Sequence, residues 1–287
     1  MKKDFVVYSA LVGNYDLIQQ PAVIDERFDY ILFSDVIRDG SVGIWQIRTI
    51  PYSNSIQSKT ARWVKTHPEA LLSDYKASLW IDSNIIITSQ FVYDRVVQLF
   101  QEGVLVSTMK HFQRNCVYDE LFDILCCQYE HESVVLKWGH FLRGKKYPVH
   151  NGLCETGVFF RIHNNENISR FDSLWWQCIE QYSRRDQFSV NYALWSTHLD
   201  WAYFLPEGKS VYNSDCFTYH EHISPVTPKQ LKRNRLEAWL VRYYAKCPTQ
   251  RNKVKQLYFN LYGSPFPLLG ALILGQYYRL HFLLFKR

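Results

Sequence analysis

Apolar, β-branched and aromatic residues recur in short runs along the first two hundred positions, each closed by a turn former. DFVVYSALV (4–12) is stopped by Gly13-Asn14, FDYILFSD (28–35) ends at Asp35, and WQIRTIP (45–51) makes a third run. Such runs predict strands. Residues 54–72 take helical spacing as far as His67-Pro68. ASLWIDS reads as the next strand, FVYDRVVQLFQ (91–101) as a helix and VLVSTMK (104–110) as another strand. From 116 to 143 the pattern is helical and aromatic. GVFFRIH (157–163) returns to strand, SRFDSLWWQCIEQYS (169–183) reads as a helix with Trp175 and Trp176 packing inward, and 189–198 as a further helix. Strands alternating with helices predict βαβ units and a mostly parallel central sheet flanked by helices, the α/β class. Pro225 and Pro228 mark a boundary, which divides the chain into a domain over 1–228 and an extension over 229–287.

The length of 287 residues suffices for one large α/β domain with an extension. Apolar residues at 47% and charged residues at 21% exclude disorder, and 16% aromatics exceed what a core of this size ordinarily carries. Seven cysteines without CxxC spacing, in a chain whose MKKDFVVYSA runs straight into a strand, predict reduced thiols in a cytosolic protein and no structural zinc. Charge is unevenly placed. Residues 229–287 hold twelve Lys/Arg against Glu237 alone, whereas the rest holds 21 Lys/Arg against 26 Asp/Glu. That asymmetry predicts a polyanionic partner for the extension.

The greasiest stretch, SLWIDSNIIIT (78–88), carries Asp82-Ser83-Asn84 in its middle. A carboxylate and a carboxamide at a strand end are hard oxygen ligands suited to Mg²⁺ or Mn²⁺ shared with phosphates; the ordinary reading is that Asp82 caps a turn. In open α/β sheets ligands bind beyond the carboxyl ends of strands, where Gly13, Asp35 and Asp82 all fall. Lys59, Arg62 and Lys65 follow one another at three-residue steps, so Lys59 and Arg62 share a helix face, either solvated or facing a diphosphate. SRRDQFSVN (183–191) offers Asp186 or Ser189 as helix caps, or Asp186 and Gln187 facing a sugar with Arg185 pairing a phosphate. NGLCETGVFFRIHN (151–164) places Glu155, Thr156 and Gly157 on a turn feeding a strand. YHEH (219–222) supplies His220 and His222, and His220 is favoured as the one that faces inward.

With YSALVGNYD, SKTARWVKTHP, LWIDSN, ETGVFFRIHN and SRRDQFSVNY in this order, the chain resembles plant and bacterial glycosyltransferase-like proteins once classed as a domain of unknown function, a group that includes a plant rhamnogalacturonan galacturonosyltransferase. The resemblance spans roughly residues 5–222. It implies a GT-A fold, a nucleotide-sugar donor (a UDP-sugar) and a Mn²⁺ or Mg²⁺ cofactor held by Asp82, Asn84 and His220. Asn84 stands where the family's Asp-x-Asp-like element has its second acid. By similarity to the Asp-Gln motif of retaining glycogenin-type transferases, Asp186 and Gln187 become the catalytic pair and retention the expected outcome. The donor is then met by Ala10, Val12, Tyr15, Asp35, Lys59, Arg62, Asp82, Ser83 and Arg185, and the acceptor by Glu155, Thr156 and His163.

In the extension, LEAWLVRYYAK and the segment 265–285 interleave basic, aromatic and apolar residues. The segment 265–285 has the length of a membrane span but is interrupted by Pro265, Pro267, Gln276, Arg279 and His281. An anionic membrane surface is therefore the expected partner, and no nucleic-acid motif accompanies the charge. Together these readings predict a peripheral enzyme on the cytosolic face of a membrane, building surface polysaccharide or lipopolysaccharide from a glycan or lipid-linked glycan acceptor. The alternative is an inactive GT-A-fold scaffold binding carbohydrate or lipid there.

Overall fold

The computed structural model describes residues 3–13, 15–38, 40–223 and 236–285. Packing divides the chain into two compact units, Met1–Gln113 with Leu153–Pro225 and Arg114–Gly152 with Val226–Arg287. The division is not the one drawn at 228, because 114–152 packs with the C-terminal helices. Helix–helix packing joins segments far apart in sequence, and no linker composition announces it.

The first unit contains β1 (Phe5–Leu11), β2 (Phe28–Ser34), β3 (Gly40–Val42), β4 (Trp45–Thr49), α1 (Gln57–Thr66), α2 (Pro68–Leu72), β5 (Ala77–Ile81), β6 (Ile85–Ile87), α3 (Phe91–Gln101) and β7 (Val106–Lys110). After the insertion come β8 (Cys154–Ile162), α6 (Glu166–Gln181), α7 (Val190–Ser196), β9 (Ala202–Tyr203) and β10 (Phe217–Tyr219). Eight strands form one sheet in the order β3-β4-β2-β1-β5-β8-β7-β9, while β10 and β6 pair separately. β1 runs parallel to β2 and β5, β2 to β4, and β7 to β9; β8 is antiparallel to both β5 and β7. The expected α/β class, a mostly parallel central sheet flanked by helices, is present.

Both sheet faces are covered, which explains why its strands are continuous apolar runs rather than alternating ones. Along β1, Phe5, Val7 and Leu11 enter a core shared with Val92, Val96 and Leu99 of α3, whereas Val6, Tyr8 and Ala10 enter the opposite core with Val64 of α1 and Phe171 and Trp175 of α6. β5 splits in the same way, Leu79 and Ile81 to one side and Trp80 to the other. Trp175 is fully buried, as expected, but Trp176 is only half-buried and sets its edge against Tyr52. Truncating a side chain placed like Trp175 costs about 3–5 kcal/mol. α1 stops at Thr66 because Pro68 has no amide to continue it; the proline instead opens α2.

His163, expected at the acceptor, lies elsewhere. β5 and β8 pair Ala77 with Ile162 and Ile81 with Val158, so the residue after Ile162 falls at the amino end of β5, opposite Asp82. There its Nδ1–H donates to the Leu72 carbonyl at 3.1 Å, and Nε2 accepts from Ser78 Oγ at 2.8 Å. Burial in this apolar seat, with Arg161 close by, pulls its pKa down to about 4. Because the folded value lies below the unfolded one of about 6.5, the neutral form is favoured by folding. Stability referable to His163 is complete above pH 6.5 and is lost as pH falls toward 4, by about 3 kcal/mol. Urea titrations across that range, on the protein and on His163→Asn, are expected to converge as pH drops; a constant difference would refute the assignment.

The second unit comprises α4 (Val117–Cys127), α5 (Glu132–Gly144), α8 (Leu236–Ala245), α9 (Pro248–Tyr262) and α10 (Pro267–Phe285). Gly139 of α5 lets α9 close in, since a Cβ there would sit 2.4 Å from the Tyr262 ring. Arg251 pairs with Asp123, and Lys255 with Asp119 at 2.6 Å, so part of the basic charge of this region is neutralised within the unit. The polar residues and prolines of 265–285 do not interrupt α10: Pro267 begins it, and it runs unbroken for 19 residues. It is long and apolar enough to cross a membrane and is mostly exposed.

Candidate active site

The site gathers at the carboxyl edge of the sheet. Asp82 directly follows β5, and its amide donates to the Gly157 carbonyl of β8 at 2.8 Å. The turn after it is closed by backbone, Ile85 N–H donating to the Asp82 carbonyl at 2.9 Å, so the Asp82 side chain is not a cap. Its Oδ1 instead accepts from Trp80 Nε1 at 2.6 Å and faces Lys65 Nζ at 3.4 Å and Arg62 NH1 at 3.7 Å. Gly157 packs close beside it, where a Cβ would come within 2.8 Å of Ile85 Cδ1 and 3.6 Å of Asp82 Oδ2.

Asp186 begins the single helical turn Asp186–Phe188 between α6 and α7. Neither that turn nor α7 carries a side-chain cap, which removes the capping reading of both Asp186 and Ser189. The Asp186 carboxylate is buried, with Lys65 Nζ at 2.6 Å from Oδ2 and Arg62 Nε at 2.9 Å from Oδ1. Thr156 adds a hydrogen bond. Burial alone would raise its pKa, but Arg62 and Lys65 outweigh burial and hold the carboxyl well below the usual range. Lys65 is itself inaccessible to solvent and lies over the Trp80 and Trp175 rings at 5.3 and 5.9 Å. Trp175 Nε1 in turn donates to the Asp186 carbonyl at 3.0 Å. One ammonium and one guanidinium thus tie the two acids of β5 and α7's approach into a single cluster.

Around this cluster the other expected residues divide. Gln187 donates to the Cys154 carbonyl at 3.2 Å, and Asn191 accepts from the Cys154 amide at 2.9 Å, which pins the Asp186 turn to β8. Glu155 and Thr156 are buried at the same edge, within strand β8 rather than on a turn before it. Ala10 is the penultimate residue of β1 with Val12 just beyond its end, and the segment that follows is anchored by Asp35 Oδ1 accepting from Gly13 N at 2.8 Å. Gly13 needs its freedom: φ is +63°, and a Cβ would meet Gln57 at 2.7 Å. Ser83 donates to Asp16 at 2.6 Å, and Arg185 lies over the Phe188 ring. Lys59, by contrast, donates to the Glu180 carbonyl at 2.6 Å, and it is Lys65 that joins Arg62 at the acids.

Of the two late histidines the fold turns in the other one. His220 is exposed, and its backbone exchanges hydrogen bonds with Asn84, whose Nδ2 donates to the His220 carbonyl at 2.9 Å. His222 packs its ring 4.4 Å from Tyr15 and bonds Asp16 through Nδ1 at 2.8 Å. The Asn84 amide is thus engaged by the His220 backbone, and no group of three His, Cys, Asp or Glu gathers as a metal site among the described residues. A lone carboxylate at a strand end suits Mg²⁺ or Mn²⁺ only as an ion shared with the phosphates of a nucleotide. Beside Asp82 opens a cleft lined by Ser9, Leu11, Leu17, Ile18 and Trp45, where the Ser9 hydroxyl is buried without a hydrogen-bond partner.

Lys65, Asp16 and His222 are the site residues that sequence reasoning did not assign. Lys65 had a signal, the three-residue step from Arg62; Asp16 had none, because its partners Ser83 and His222 are remote in sequence.

Residues 1–205 match the family model described as "TOD1/MUCI70, glycosyltransferase-like domain". A search of curated proteins finds no match. Among solved structures, the chain is similar to the apo form of the WbbM bifunctional glycosyltransferase, with 10% identity, a TM-score of 0.42 and coverage of 71% of this chain and 39% of that one. It is also similar to apo mouse xyloside xylosyltransferase 1, with 9% identity, a TM-score of 0.42 and coverage of 70% and 84%. The family match covers well over half of the sequence and includes the strand, helix and turn that carry Asp82, Lys65 and Asp186: the chain belongs to the TOD1/MUCI70 family of glycosyltransferase-like domains.

Proposed function

We propose that the chain transfers a sugar from a UDP-sugar to a glycan acceptor with retention of anomeric configuration. The observation carrying this reading is the Asp186 carboxylate, buried and held ionised between Lys65 and Arg62 beside Asp82. A carboxylate so paired holds no proton at neutral pH and is a poor general base; it is a fixed negative charge. Placed under the donor sugar with Gln187, it stabilises the positive charge that develops at the anomeric carbon. The acceptor hydroxyl attacks from the side on which the diphosphate leaves. The bond from the anomeric carbon to phosphate oxygen breaks, the bond to the acceptor oxygen forms, and the acceptor proton passes to the departing phosphate oxygen.

Asp82 meets the diphosphate and would hold a Mn²⁺ or Mg²⁺ there together with the nucleotide, an ion that would supply positive charge against the leaving group. The nucleoside lies over the ends of β1 and β2, with Tyr15 and the Ser9 cleft against it and Asp35 bracing the 10–15 segment. Calorimetry tests the donor assignment. UDP is expected to bind at least tenfold more tightly with Mn²⁺ than without, Mn²⁺ alone to give no heat, and Asp82→Ala to abolish the difference. Absence of cation-dependent binding for any nucleotide would sink the reading and favour an inactive scaffold.

We place the enzyme on the cytosolic face of a membrane, extending a lipid-linked glycan of a surface polysaccharide or lipopolysaccharide. Leu269, Ile273, Tyr277, Leu280 and Leu284 recur at three- and four-residue steps along α10 and are each more than half exposed. Basic residues beside such a stripe add about 1 kcal/mol each at an anionic surface. Flotation with phosphatidylserine-containing vesicles is expected to recover the protein, and Leu269→Glu with Ile273→Glu to leave it at the bottom of the gradient with UDP binding intact. Equal flotation of both proteins would return α10 to another role.

A further inference from the structure

A row of exposed aromatic rings borders the same sheet edge, unused by the donor. Phe112 lies just beyond the end of β7, Tyr212 in the turn after β9, and Tyr219 at the end of β10. Their exposures are 44%, 58% and 38%, too high for core packing. Three separate elements nonetheless bring them into one cluster, the Phe112 and Tyr212 ring centres 6.0 Å apart and those of Tyr212 and Tyr219 4.9 Å apart. Scattered exposed hydrophobics need no explanation, but a contiguous aromatic patch at a chemical edge does.

The cluster lies at the edge that carries the acids. β7 pairs Met109 with Glu155 and Lys110 with Cys154, which sets Phe112 at the Glu155 end of β8. The Tyr212 hydroxyl lies within electrostatic reach of Glu155, Asp82 and Arg185, and Tyr219 pairs with Ile85, the residue after Asn84. The exposed rings therefore border the place where the donor diphosphate and sugar would sit.

Pyranose rings present an apolar C–H face bordered by hydroxyls. Aromatic side chains, large, rigid and apolar with a polar tip on tyrosine, match that face at low conformational cost. We infer that Phe112, Tyr212 and Tyr219 form an acceptor platform, and that it takes a glycan chain of at least two pyranose units rather than an isolated hydroxyl. The inference rests on the glycosyltransferase reading above. A single sugar covers one ring, whereas three adjoining rings gain contact with each added unit.

The test measures oligosaccharide binding and UDP binding on the same protein. The probes are cellohexaose, maltohexaose and chitohexaose with their disaccharides, read by saturation-transfer NMR and calorimetry. At least one hexasaccharide is expected to bind about tenfold more tightly than its disaccharide, with saturation on ring C–H protons. Phe112→Ala and Tyr212→Ala are each expected to weaken that binding five- to tenfold, Tyr212→Phe to retain it, and all three to bind UDP with Mn²⁺ as the unaltered protein does. No hexasaccharide binding, or binding unchanged in both alanine variants, overturns the platform while UDP binding persists. Loss of UDP binding in the unaltered protein would instead overturn the enzymatic reading beneath it.

Discussion

Asp186→Asn is expected to lower turnover by about a hundred- to a thousandfold while leaving the UDP dissociation constant within about threefold, because it removes an anion that acts on the transition state alone. Asparagine keeps the shape but not the charge facing Lys65 and Arg62. Lys65 retains Asp82 at 3.4 Å, so the site does not lose its only counter-charge. The measurement is steady-state transfer from a UDP-sugar beside calorimetry with UDP and Mn²⁺. Equal losses in both would move Asp186 from beneath the sugar to the diphosphate. Proton NMR of the first linkage formed by the unaltered enzyme is expected to show the donor's anomeric configuration. An inverted product would demand a general base, and a carboxylate held ionised by two cations is ill suited to that role.

Lys65→Met is expected to destabilise the protein by about 3–5 kcal/mol, the cost of leaving a buried carboxylate with only part of its counter-charge. Lys65 is wholly inaccessible, bonds Asp186 at 2.6 Å and rests on two tryptophan rings, so methionine can fill the volume but cannot supply the charge. Arg62 remains on Asp186 Oδ1 at 2.9 Å and sets the limit of the loss. Combining Lys65→Met with Asp186→Asn is expected to recover part of the stability, since the unpaired anion is then gone. Urea unfolding followed by tryptophan fluorescence checks both variants. A loss below about 1 kcal/mol for Lys65→Met would mean that the pair is solvated, like an ordinary surface bridge.

The alternation of buried runs with helical spacing was enough to assign the α/β class, because strands covered on both faces must be apolar throughout and their helices must carry one apolar stripe. It also placed Asp82, Asp35 and Gly13 at strand ends, since turn formers sit where apolar runs stop. Five motifs in a fixed order carried the family. Local reading failed wherever a side chain's partner lay far along the chain. Lys59 and Lys65 are equally basic and equally spaced from Arg62, yet helical rotation turns Lys65 onto Asp186, 121 residues away, and leaves Lys59 on the Glu180 carbonyl. His163 belongs to the motif that carries Glu155, but an extended strand separates the two by most of its length, and the antiparallel register sends them to opposite edges of the sheet. His220 and His222 were indistinguishable by alternation until Asp16 took one of them. The assignment of 114–152 to a helical unit with the C-terminal segment depended on helix faces meeting across more than a hundred residues. Periodicity reports which residues are buried and which end a strand, because those follow from neighbours a few positions away; which acid meets which cation follows from packing between distant segments, and only the tertiary structure decides it.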